Sequence, residues 1–81
     1  SVALEIVHQR SEFDALMVVY AYYDSLFLRS SSIELHGLKS PPIHTFIWRT
    51  VPSGGILDLR VTLVDAEGRP SGEAVTSIFL R

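Results

Sequence analysis

The side chains that could do chemistry in this 81-residue chain are three histidines, two closely spaced carboxylates, a serine beside two glycines, and a set of aromatic rings. His8, His36 and His44 stand too far apart in sequence for the i, i+2 spacing that puts two ligands on one face of a strand, and no cysteine is present to join them. Side-by-side strands carrying His36 and His44 would be needed to bring two imidazoles together, and no metal site or cofactor is expected. Asp65 and Glu67 fall in a polar, glycine-containing stretch. A general acid needs an apolar setting to raise its pKa, so these two read as turn-formers. Ser53-Gly54-Gly55 lacks the strained Gly-x-Ser-x-Gly elbow of a nucleophilic serine, and no Lys or Ser/Thr follows at the spacing of a phosphate cradle. No catalytic residue is assigned, and the chain is not expected to be an enzyme.

The aromatic residues remain. On an extended strand Tyr20 and Tyr22 point to one face and Tyr23 to the other. With Phe27 close by, at least one large ring is left partly exposed. Tyr20, Tyr22, Tyr23 and Phe27 are therefore the candidate interaction surface, suited to a protein partner, with carbohydrate stacking as the alternative.

Composition narrows the partner. Seven Lys and Arg against nine Asp and Glu give a net charge of −2, and the basic residues are scattered from Arg10 to Arg81. That excludes the basic field nucleic-acid binding requires. The longest nearly unbroken apolar run, 15–23, is too short for a membrane-spanning helix, which takes ~20 residues. The chain shows no signal peptide and begins with Ser1, which reads as a processed or excised sequence. A single domain over 1–81 is expected, stapled by no disulfide and with a thin core. Because 47% of its residues are hydrophobic, it is expected to leave apolar surface exposed. A neighbouring domain, a protein partner or a second copy, making a homo-oligomer, would cover that surface.

The elements that must carry these residues follow from periodicity. Leu57, Leu59, Val61 and Leu63 alternate with Asp58, Arg60 and Thr62, describing a ribbon with one oily and one wet side. The chain then breaks at 65–72 before a second β-rich run, 73–81. Upstream, 2–8 reads as a first strand and 9–12 as the turn out of it. Residues 13–28 fit two periods. As a strand, Leu16, Val18, Tyr20 and Tyr22 share a face and Asp24-Ser25 turns the chain. As a helix over 11–28, Ser11 would be the N-cap and Phe13, Leu16, Tyr20, Tyr23 and Phe27 the stripe, but the opposite side would be just as apolar. The strand is preferred. Residues 26–38 read as a strand with a bulge or an edge crossing at Ser30-Ser31-Ser32, Lys39-Ser40-Pro41-Pro42 as a loop between sheets, and 43–49 as a strand placing Phe46 and Trp48 on one face. The sum is an all-β chain: a small antiparallel, immunoglobulin-like β-sandwich. The alternative is an α+β fold with a helix at 11–28 packed on an antiparallel sheet.

Phe46-Ile47-Trp48 and Pro52-Ser53-Gly54-Gly55, followed by Leu59-Arg60-Val61 and Asp65-Ala66-Glu67-Gly68, resemble the C-terminal half of fibronectin type III and bacterial immunoglobulin-like domains. Ile56 and Leu57 stand where that family commonly has a tyrosine early in the penultimate strand, and the tryptophan it often carries in the second strand is absent. The resemblance implies an adhesion, spacer or protein-binding module, one of several in a longer extracellular or periplasmic chain.

Overall fold

The computed structural model describes residues 1–8 and 12–81. Among these residues the strands are β1 (Val2–Val7), β2 (Asp14–Tyr23), β3 (Leu26–His36), β4 (Ile43–Trp48), β5 (Ile56–Asp65) and β6 (Pro70–Phe79), with a 3-10 turn at Gly37–Lys39. The protein is thus an all-β domain, and the helix considered over 11–28 is excluded by the extended strands β2 and β3. Residues 9–11, which include the expected turn out of the first strand and the Ser11 N-cap, lie outside the described residues. The double periodicity of 13–28 has a physical cause. In β2, Met17, Val19 and Ala21 are buried on one face, and the other face carries Leu16, Val18, Tyr20 and Tyr22, all apolar or aromatic and none of them fully exposed. A strand that is apolar on both faces loses the apolar–polar alternation that would announce it.

The strands form two antiparallel sheets, a pair β1-β4 and a four-stranded sheet in the order β3-β2-β5-β6. Directly opposed residues share a face, so the registers Val2↔Trp48, Leu4↔Phe46 and Ile6↔His44 give the pair one apolar side. That side packs on Val19, Ala21, Leu57 and Leu59 of the larger sheet, with Trp48 buried among them at 4% exposure. Two strands lie over the middle of four. The outer strands β3 and β6 are left exposed along most of their length.

Pairing in the large sheet corrects the expected bulge. Ser30, Ser31 and Ser32 sit in regular register with Tyr20, Val19 and Val18. The shift falls between Ala21 and Tyr22, which oppose Arg29 and Phe27 and leave Leu28 as the extra residue. Its place follows from the neighbouring turn. Asp24 and Ser25 both have positive φ (47° and 71°), the geometry of a two-residue hairpin loop, and a bulge beside such a loop adds local twist. Serines in a ladder need no such relief.

The break expected at 65–72 is shorter in the structure, because pairing resumes at Pro70. Asp65 closes the turn. Its Oδ1 accepts the backbone N–H groups of Glu67 (3.0 Å) and Arg69 (2.8 Å), and its own N–H donates to the Arg69 carbonyl (3.0 Å). The Arg69 guanidinium lies against Asp65 (3.2 Å) and Glu67 (3.4 Å). These carboxylates are therefore engaged in local turn chemistry, as their setting in the sequence implied. A second register shift, between Val61 and Leu63, places Gly72 where its carbonyl accepts the Thr62 hydroxyl at 2.9 Å.

Lys39-Ser40-Pro41-Pro42 does carry the chain from one sheet to the other. The buried Ser40 hydroxyl oxygen accepts the His36 N–H at 2.8 Å and pins the exit from β3.

Candidate interaction surface

The four-stranded sheet has an outer face turned away from the β1-β4 pair. Register assigns to it Leu16, Val18, Tyr20 and Tyr22 from β2, Phe27 from β3, Ile56, Asp58, Arg60, Thr62 and Val64 from β5, and Val75, Ser77 and Phe79 from β6. Three of the four rings singled out from sequence, those of Tyr20, Tyr22 and Phe27, are thus brought to one surface. Phe27 is 59% exposed and meets the Tyr22 ring edge-on at 5.8 Å. The Arg60 guanidinium sits over the Tyr22 ring at 4.7 Å, a cation–π contact. Beside it, Ser77 Oγ donates to Asp58 Oδ1 at 2.5 Å and ties β6 to β5. Near the β2–β3 hairpin, Phe27, Tyr22 and Arg60 therefore form a packed cluster on this face. The apolar side chains of Ile56, Val75 and Phe79 continue it toward β6.

Tyr23 stands apart on the opposite face, as its place in the alternation required. Its hydroxyl donates to the Gly54 carbonyl at 2.9 Å and its ring lies against Gly55. It anchors the loop between β4 and β5. A tyrosine hydroxyl does tie a loop down here, but it comes from β2 and not from the penultimate strand.

At the edge of the same sheet, β6 carries a second feature. Nearly the whole strand is exposed, with Val75 at 55% and Phe79 at 76%. The Leu80 N–H donates to the Gly55 carbonyl at 2.9 Å, so residues of even number in β6 direct their backbone toward β5. Successive residues alternate, and the N–H and C=O groups of Val75, Ser77 and Phe79 point out of the sheet.

The histidines fall differently from either arrangement considered in sequence. His36 and His44 are not neighbours. The β1-β4 register instead brings His8 diagonally to His44, with Nε2 atoms 3.0 Å apart and ring planes 11° from parallel. His44 is buried, and His36 lies near Glu34 at 3.6 Å. The partnership links residues 36 positions apart, which no local spacing could disclose. Among the described residues no three His, Cys, Asp or Glu side chains converge. Within the same residues no helix is long and apolar enough to cross a membrane.

The structure and this surface define a class: a two-sheet all-β domain with an aromatic outer face and a bare strand edge. No protein-family model, curated protein or solved structure matches the chain.

Proposed function

We propose that this chain is a non-catalytic protein-interaction or structural module of the immunoglobulin-like kind, one domain of a larger or multi-component assembly, that binds an extended segment along β6. The observation that carries this reading is the condition of β6, a ten-residue strand exposed on nearly every side chain and with its outward backbone groups unused by β5. Soluble domains blunt such edges with charges, bulges or short strands; in β6 the register shift and Glu73 lie in its first half, and 74–79 remains regularly paired to β5 with its other side open to strand addition. Strand order supports the immunoglobulin-like part. Sandwiches of that kind oppose a C′-C-F-G type sheet to a pair of B-E type, and β3-β2-β5-β6 over β1-β4 has the same connectivity.

Carbohydrate binding is the competing reading. It would use Tyr20 and Tyr22 as stacking platforms, yet Arg60 already covers one face of Tyr22 and Phe27 abuts its edge.

Val75→Pro separates the two. Proline removes one outward N–H and no β5–β6 ladder bond, a change edge strands tolerate, so the far-ultraviolet spectrum is expected to stay that of the parent. Presented with a library of extended peptides and a panel of oligosaccharides, the domain is expected to select peptides with alternating apolar residues and to lose them in Val75→Pro. Oligosaccharide binding that disappears in Tyr20→Ala, with no peptide selected, would reverse the assignment.

A further inference from the structure

Among the exposed strands, the charge pattern of β6 marks it out. Counting outward from Ser77 in both directions, Thr76 mirrors Ile78 and Val75 mirrors Phe79 within the regularly paired stretch, Ala74 mirrors Leu80, and Glu73, at the register shift, mirrors Arg81, just past the end of the strand. A strand with this pattern is complementary to itself run backwards, because Val75 meets Phe79, Ala74 meets Leu80, the β-branched Thr76 meets Ile78, and the acidic end meets the basic end. We infer that the partner of β6 is a second copy of the same chain. It would pair antiparallel about a two-fold axis through Ser77 and join the two four-stranded sheets into one continuous sheet. This deepens the module reading above and rests on it.

Backbone geometry fits the same pivot. In an antiparallel ladder the outward-pointing residues of one strand must face the outward-pointing residues of the other. Those are Val75, Ser77 and Phe79, since Leu80 turns its N–H toward Gly55. A two-fold axis through Ser77 opposes Ser77 to its own copy, Val75 to Phe79 of the second copy and Phe79 to Val75, so every outward group meets another. A slip of one residue would set outward groups against inward ones and is forbidden by the hydrogen-bond pattern. Moving the axis to Thr76 keeps the hydrogen bonds but puts Glu73 beside the Phe79 ring. Of these registers, the one through Ser77 satisfies backbone, charge and apolar contact together.

Two Val75–Phe79 pairs would then line the outer face of the seam beside Ile56, whose side chain is 38% exposed. A Glu73–Arg81 pair would close each end. Such cross-strand pairs set register as well as adding stability, and a two-fold interface of this type closes on itself instead of propagating.

The other edges do not fit. In β3, Arg29 belongs to the inner face and Glu34 to the outer, so no self-pairing brings them together. β1 and β4 are only six residues long, and a two-fold pairing centred on β1 would bring its Glu5 carboxylates close together.

Charge exchange tests the seam. Glu73→Arg and Arg81→Glu each replace both terminal attractions by repulsions and are expected to weaken self-association on the order of tenfold. Mixed together, the two variants recreate opposite charges at each end, and a heterodimer at parental strength is expected. The readout is sedimentation equilibrium of the full chain from micromolar to millimolar concentration, with Val75→Pro as a second, uncharged probe that should abolish the dimer. A parent that stays monomeric throughout, while peptides still bind and are lost in Val75→Pro, would overturn self-pairing and leave the module reading standing. A dimer indifferent to charge reversal and to Val75→Pro would overturn this seam. Peptide binding equally indifferent to Val75→Pro would remove the edge reading itself.

Discussion

Trp48→Ala is expected to unfold the domain at ambient temperature. The indole is 4% exposed at the end of β4, stacks near Phe46 with ring centroids 6.3 Å apart, and carries the Arg29 guanidinium over its ring at 5.8 Å. It is the largest side chain of the buried cluster and belongs to the smaller sheet, while Val19, Ala21, Leu57 and Leu59 belong to the larger. Removing it therefore takes away much of what fastens one layer to the other. Truncating a buried tryptophan costs roughly 3–5 kcal/mol. A domain of this size has a total stability near the lower end of ~5–15 kcal/mol, so the loss consumes most or all of the margin. Urea denaturation followed by far-ultraviolet circular dichroism measures it. A variant that unfolds at the parental midpoint would show that the sheets are held together by something other than this ring.

The second large effect is expected at Gly55, with Gly54 as its control. Both glycines have φ in the left-handed region, 85° and 73°. Only Gly55 is also crowded. A Cβ placed there would lie 2.7 Å from the Tyr23 ring and from its hydroxyl oxygen, whereas one on Gly54 meets nothing within 4 Å. Gly54→Ala thus carries the backbone term alone, about 1–2 kcal/mol. Gly55→Ala adds overpacking of about 1–3 kcal/mol and pushes away the ring whose hydroxyl binds the Gly54 carbonyl. The expected order of thermal midpoints is parent, Gly54→Ala, Gly55→Ala. Equal losses at the two positions would mean that Tyr23 yields without cost and does not anchor the loop.

How far the fold could be read from sequence depended on where each strand ended up. The alternation of Leu57, Leu59 and Val61 with Asp58, Arg60 and Thr62 named β5 directly, since one face of that strand is buried and the other more open. β2 was ambiguous because both of its faces carry apolar or aromatic side chains, so the polar half of the pattern is missing. The position of the bulge was misread because register is a property of two strands. Three serines in a row look irregular in one strand, yet opposite Tyr20, Val19 and Val18 they pair without a break. His8 and His44 escaped notice for the same reason, being joined only through the β1-β4 register. Of the candidate surface, the division of Tyr20 and Tyr22 from Tyr23 was legible from two-residue periodicity alone. The exposure of β6 was not, because nothing in its residues says which strand lies at the rim. Its mirrored pattern about Ser77 was present in the sequence but acquires meaning only once the edge is known to be free.

The pairing of β1 with β4 also fixes an order of events in time. β2 with β3, and β5 with β6, are hairpins whose halves find each other across a few residues, on a scale of about microseconds. β1 has no such neighbour. Of the six strands it is synthesised before the others, yet its ladder partner ends at Trp48, so it waits unpaired while the intervening chain is made and its own loop is closed. In refolding from urea, quenching of Trp48 fluorescence should accordingly lag behind the gain of strand signal in the far ultraviolet. Simultaneous phases would mean that the first strand is captured early, before its companion is in place.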